Sequence, residues 1–224
     1  MVRQTYKHAL IAVDVVIFGV YNGILKTLLI KMKKWPYLGF WASPGGLIHG
    51  NESLDEAATR ILREKAGFEV SYLEQLAAFG RVDRDPFGRV VSCAYMALVP
   101  MDRFFPKTSQ EYADIAWFPI KKLPRLAYDH KEIIRRAVER LRAKLGYTNV
   151  VANIMPREFT LGELQDAYEI ILGRALDKRN FRKRILSLVL LKRLPKQTAG
   201  EAHRPAALFA FRSREPQMIN IMRG

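Results

Sequence analysis

The chain has 224 residues, 49% hydrophobic and 26% charged, which excludes bulk disorder and leaves room for one large domain or for a medium and a small one. Its net charge of +15 is uneven: residues 174–224 hold thirteen Lys/Arg against three Asp/Glu, a bias that suits a polyanion, either nucleic acid or an anionic membrane. A single cysteine, Cys93, excludes an intrachain disulfide and suits a reducing cytoplasm.

From the N-terminus, ALIAVDVVIFGVY reads as a buried strand over 9–20 rather than a signal peptide, because Asp14 interrupts the apolar run. No other stretch reaches the ~18–20 uncharged apolar residues of a membrane helix, so no membrane partner is expected. Asn22-Gly23 is a hairpin signal leading into a second strand over 24–31. GFWASPGG then runs from a strand end into a glycine turn, where Trp41 reads as core. Residues 53–65 read as a helix opened by a Ser53/Glu56 capping box and stopped by Gly67. Strands are expected over 69–80, 88–99 and 112–120, with Cys93 a buried small residue. A second box, Asp129/Glu132, opens a helix whose Ile133, Ile134, Ala137, Val138, Leu141 and Leu145 share one face. Residues 147–157 read as a linker, which divides the chain into domains 1–150 and 151–224.

Residues 46–68, GLIHGNESLDEAATRILREKAGF, resemble the Nudix box, G-x5-E-x7-R-E-U-x-E-E-x-G-U, through Gly46, Glu52, Arg60, Leu62, Glu64, Gly67 and Phe68. In that family three glutamates hold Mg²⁺ beside a diphosphate. Here those positions are Ile61, Glu64 and Lys65, which helical spacing places on one face. A hard cation needs oxygen ligands, and this set offers one carboxylate, one hydrocarbon and one ammonium. The box therefore reads as a retained scaffold with no catalytic residue and no metal site. Ile61 is expected to fill core volume and Glu64 to pair with a neighbouring cation, while Glu52 and Arg60 pair with each other.

The stretch 82–99 resembles the part of ADP-ribose-type Nudix domains that lies beside the ligand. Arg81, Arg84 and Arg89 supply guanidinium forks suited to phosphate, against the plainer reading of exposed turn charges. Together with Glu64 they are the candidate ligand-binding residues.

The C-terminal segment FTLGELQDAYEIILGRALDKRNFRKRILSLVLLKRL carries a Thr160/Glu163 capping box and an apolar face of Leu164, Ala167, Tyr168 and Ile171. Gly173 stops that helix and Asp177 caps the next, whose Phe181, Ile185 and Leu188 point to the core. Lys178, Arg179, Asn180, Arg182, Lys183 and Arg184 crowd the start of this second helix, where the macrodipole disfavours cations. A placement that costs local stability points to a partner, and recognition helices read DNA with these N-terminal residues. Arg184 lies nearer the core flank. LLKRL and ALFAF (207–211) read as a two-stranded wing whose loop carries His203 and Arg204. The candidate DNA-binding residues are Lys178, Arg179, Asn180, Arg182, Lys183 and Arg204.

A degenerate Nudix box followed by FTLxELQ…LDKRNFRK resembles the Nudix-related transcriptional regulators of the NrtR family over nearly the whole chain. That resemblance implies an α+β protein: a Nudix α/β/α sandwich with a mixed sheet, then a small winged helix-turn-helix. It implies a cytoplasmic homodimer on a palindromic double-stranded operator, controlling NAD metabolism, with ADP-ribose or a related nucleotide as effector and no required cofactor. Relatives of this architecture respond to sugars such as arabinose, so a sugar-responsive regulator stays open, as does a hydrolase with non-standard metal ligands.

Overall fold

The computed structural model describes residues 8–67, 70–100, 111–197 and 205–219; Phe68, His203 and Arg204 lie outside them. Two compact units emerge. One takes the described residues within 1–17, 27–97 and 105–137, and the other those within 18–26, 98–104 and 138–224.

Strand β1 (Leu10–Tyr21) is buried from Ala12 to Gly19, as a strand covered on both faces must be. A turn with Asn22 at φ 50° and Gly23 at φ 73° leads into β2 (Ile24–Lys31), the left-handed pair that a two-residue hairpin requires. Among the described residues seven strands form one sheet with β3 (Trp41–Ala42), β4 (Gly45–Leu47), β5 (Tyr72–Phe79), β6 (Val90–Leu98) and β7 (Asp114–Pro119). The main path runs β3-β2-β1-β6-β5, with β4 on β1 and β7 on β2. Helix α1 (Leu54–Ile61) opens on Ser53 with both halves of its capping box present. Residues Leu62–Ala66 then continue as a π-helical turn that ends at Gly67, φ 79°. Cys93 is half-exposed rather than buried, because β6 buries Ser92 and Ala94 instead.

Helix α2 (His130–Leu145) buries all six apolar residues of its expected face. Its expected capping box takes another form: the Asp129 carboxylate lies on Arg84, and Glu132 pairs with Arg135. The expected linker is a packed segment. Val150–Asn153 form a 3-10 turn, and Val150, Val151, Ala152, Asn153, Ile154 and Met155 are buried. Asn153 Nδ2 donates to the Arg214 carbonyl, and the Arg214 guanidinium donates to the carbonyls of Ala152, Met155 and Pro156. Pro156 therefore marks a packed turn and not a solvated tether.

Next come β8 (Phe159–Thr160), α3 (Leu161–Leu172) and α4 (Lys178–Ser187), then β9 (Leu191–Gln197) and β10 (Ala207–Phe211). The wing has three strands where two were expected, in the order β8-β10-β9, both pairs antiparallel. Leu164, Ala167, Tyr168 and Ile171 of α3 meet Phe181 and Ile185 of α4 in the core, with Tyr168 and Phe181 edge to face at 5.3 Å. Leu188, expected in that core, caps α4 and is only half-buried.

Candidate ligand cleft and nucleic-acid interface

A cleft of about 200 Å³ opens over β1, β3 and β4, lined among others by Asp14, Ser43, Lys65, Arg84, Tyr128 and His130. Its floor is a buried polar cluster. The Arg84 guanidinium reaches Asp14 at 3.2 Å and both oxygens of Asp129 at 2.8 and 3.1 Å. Ser92 donates to Asp14 at 2.5 Å, and His130 Nε2 lies 3.5 Å from the other Asp14 oxygen. The Ser43 amide donates to His130 Nδ1 at 2.9 Å, so the imidazole proton sits on Nε2, facing Asp14. Burial works to raise the Asp14 pKa; His130, Ser92 and Arg84 outweigh it and hold the carboxyl down to about 2.

Strand register explains why glycine follows Pro44. Gly45 pairs with Asp14 across β4 and β1, and a Cβ there would come within 1.9 Å of the Asp14 carboxylate. That carboxylate is pinned on several sides and has nowhere to move. Gly45→Ala is therefore expected to cost about 2–3 kcal/mol, measured by urea denaturation, whereas Gly50→Ala, with open space around it, should stay within about 0.5 kcal/mol.

The Nudix-box positions do not share one face. Ile61 ends the α-helical part and is fully buried, while the π-helical turn after it redirects Glu64 and Lys65. Glu64 is exposed and pairs with Arg60 at 3.3 Å. Arg60 in turn holds Glu52 through two bonds of 2.6 and 2.8 Å, the expected pairing, and these bonds keep the Glu52 carboxyl at about 2. Lys65 donates to the Gly45 carbonyl at 2.6 Å. A divalent cation does not fit this donor set: the hydrocarbon of Ile61 supplies no oxygen, and an ammonium already holds the backbone carbonyl.

The three arginines take separate places. Arg84 lines the cleft, but as a buried cation committed to two carboxylates rather than the phosphate-facing fork expected of it. Arg81 is exposed and pairs with Asp83. Arg89 donates to the carbonyls of Gly80 and Arg81 and so closes the turn between β5 and β6. Neither is among the residues lining the cleft. Trp41, expected in the core, is only half-buried and packs edge-on against Phe118 at 4.5 Å. Asp14, Ser43, Asp129 and His130 were not among the expected site residues. A lone carboxylate in an apolar strand was the available signal, since a buried charge has to be paired.

In the other unit, Thr160 and Glu163 form the expected capping box and Gly173 closes α3 at φ 74°. Asp177 caps α4 by accepting from the Asn180 amide at 2.8 Å. Lys178, Arg179, Asn180, Arg182 and Lys183 are all exposed, while Arg184 is half-buried, as its position on the core flank predicts. Lys192 and Arg193 on β9 are also exposed. The arrangement is a helix, a tight turn and a second helix with a basic, solvent-facing start, backed by a wing.

A Nudix unit and a winged helix in one chain define the class of Nudix-related DNA-binding proteins. The NUDIX domain model matches residues 10–140, and the NrtR DNA-binding winged helix domain model matches residues 151–211. The chain is 36% identical over 213 residues to the ADPR responsive transcriptional repressor NtrR of Acinetobacter baylyi, covering 93% of this chain and 84% of that one. Shewanella oneidensis NrtR complexed with a 27mer DNA matches with a TM-score of 0.79 at 34% identity, over 90% of this chain and 93% of the other. The NUDIX domain of that protein complexed with ADP ribose matches with a TM-score of 0.56 at 34% identity, over 61% of this chain and 90% of the other. An ADP-ribose pyrophosphatase of Methanocaldococcus jannaschii is 33% identical over 132 residues, 59% of this chain and 75% of that one. The chain belongs to the NrtR family. Among the described residues no helix is long and apolar enough to cross a membrane.

Proposed function

We propose that this protein is an ADP-ribose-responsive transcriptional repressor that binds a palindromic operator as a homodimer and controls genes of NAD metabolism. One observation carries the reading: α4 exposes Lys178, Arg179, Asn180, Arg182 and Lys183 at its start, inside a winged helix whose chain also holds a cleft over the Nudix sheet. The repressor relative and the ADP-ribose complex of a relative's Nudix domain support the effector. In this reading the Nudix unit comprises residues 1–150 and the DNA-binding unit 151–224, with Arg204 in the wing loop as a further DNA contact. Of the residues expected at the ligand, Arg84 holds the cleft floor, while Arg81, Arg89 and Glu64 act at its periphery. ADP-ribose is expected to change affinity for the protein's own upstream DNA by about tenfold or more in a gel shift at fixed salt. A response to a plain pentose with none to ADP-ribose would move the protein to the sugar-responsive branch.

The same reading makes the Nudix unit a sensor without hydrolase activity, needing no cofactor. Its support is the buried Ile61 and the Lys65 ammonium at two of three metal-ligand positions. Hydrolysis of ADP-ribose with millimolar Mg²⁺ or Mn²⁺ is expected to stay far below the ~1 s⁻¹ of a working enzyme. Turnover at that rate, abolished by Glu64→Gln, would make it an enzyme.

A further inference from the structure

We propose that the Lys65 ammonium, anchored on the Gly45 carbonyl, is a built-in cation that binds the ligand's diphosphate directly, in place of a divalent metal. The inference rests on the cleft being a nucleotide site and names the group that would hold the charge.

The cleft has to compensate a diphosphate, and the described lining offers two permanent cations, Arg84 and Lys65. Arg84 is already neutralised by Asp14 and Asp129 at 3.2 and 2.8 Å. Lys65 is held differently. Among the described residues its Nζ donates one hydrogen bond, 2.6 Å to the Gly45 carbonyl, and lies 5.3 Å from the centre of the Tyr112 ring. Glu111 is 3.8 Å away, too far for a hydrogen bond and exposed to solvent, where an ion pair is weak. An ammonium has three N–H groups, so donors remain for an acceptor entering the cleft.

Local backbone keeps the cation in place. Gly45 presents its carbonyl from β4, 2.6 Å from Nζ. The π-helical turn at 62–66 is what brings Lys65 to this position while Ile61 stays in the core. Burial lowers the Lys65 pKa, which means that the ammonium is partly stripped of water and gains from an arriving anion. A second lining group has the same demand. The Ser43 hydroxyl is 1% exposed and has no hydrogen-bond partner among the described residues, and a buried hydroxyl without a partner is unfavourable until an acceptor arrives.

The test is calorimetric titration of the full-length protein with inorganic pyrophosphate and, separately, with ADP-ribose, each in EDTA and in Mg²⁺. Wild-type affinity for either probe is expected to change by less than about twofold between EDTA and Mg²⁺. K65Q, which keeps a donor for the Gly45 carbonyl, should weaken both probes by about tenfold or more, and K65R should stay within about threefold of wild type. A wild-type protein that binds only with Mg²⁺, a result needing no variant, overturns the proposal. So does a folded K65Q that binds like wild type, and in that case ADP-ribose sensing survives. If pyrophosphate binds through Lys65 and ADP-ribose does not bind, the effector reading falls and the diphosphate site stands. If neither probe binds, both fall.

Discussion

Replacing Arg84 by methionine is expected to destabilise the protein by about 3–5 kcal/mol at pH 7. The guanidinium side chain is 3% exposed and bridges Asp14 on β1 to Asp129 at the start of α2. Methionine fills much of the same space but leaves Asp129 without its cation and Asp14 with Ser92 and His130 alone, which is far worse than losing a surface ion pair. The pH dependence gives an independent check. In the wild type the Asp14 carboxyl is depressed from 3.8 to about 2, so its contribution is fully present above about pH 4 and is lost as pH falls toward 2. In the variant Asp14 loses only the smallest of the causes that lower it, while His130 and Ser92 stay in place, so its carboxyl is expected to remain below its unfolded value, less depressed than in the wild type. The stability lost as pH falls from about 4 toward 2 should therefore be smaller in the variant than in the wild type. Urea denaturation at pH 7 and between pH 4 and 2 measures both effects. A loss below about 1 kcal/mol at pH 7 with an acid limb like the wild type's would mean that the cluster is solvated or that Arg84 is not its cation.

What the sequence made legible follows from how local each signal was. Capping boxes at Ser53 and Thr160, the Asn22-Gly23 hairpin, the Gly173 stop and the Asp177 cap involve residues within four positions of each other, and the structure keeps all of them. The Nudix spacing is likewise local, and the Glu52–Arg60 pair within it formed as expected. The misses are long-range. Arg84 sits on a polar turn, yet its partners are 70 and 45 residues away, so nothing near it announced a buried cation. Asp129 has the look of an N-cap, but a buried guanidinium outcompetes a solvated helix end for its carboxylate. Residues 147–157 read as a linker because they are short and end at a proline, while their carbonyls are satisfied by Arg214, some 60 residues on. The short β8 needs its partner β10 to exist at all. For the cleft, the loss of carboxylates was legible, but where the Lys65 ammonium goes depended on a π-helical turn that spacing alone does not show.

Arg179→Ala and Arg182→Ala are each expected to cost about 1–3 kcal/mol of operator affinity and to relax sequence preference at a particular base pair. Phe181 and Ile185 anchor one side of α4 in the core, which turns Lys178, Arg179, Asn180, Arg182 and Lys183 toward solvent. Four cations at a helix start oppose the macrodipole, and Asp177 offsets only part of that cost through its bond to the Asn180 amide. A DNA phosphate or base edge removes the rest, so the cluster should be worth more on DNA than off it. Two consequences separate its members. Residues that contact phosphate, with Lys178 and Lys183 the candidates, should weaken all sequences alike when replaced by alanine and should each lower the salt slope by about one. Residues that read bases, with Arg179, Asn180 and Arg182 the candidates, should narrow the gap between operator and random DNA at nearly constant slope. In a homodimer the two copies of α4 should protect half-sites about 10 or 21 base pairs apart, because both helices enter major grooves on one face of the duplex. Footprinting at fixed salt, with exposed Lys122→Ala as the control on the Nudix unit, is the deciding comparison. Full protection by both helix variants alongside loss in the control would place the DNA-binding surface elsewhere.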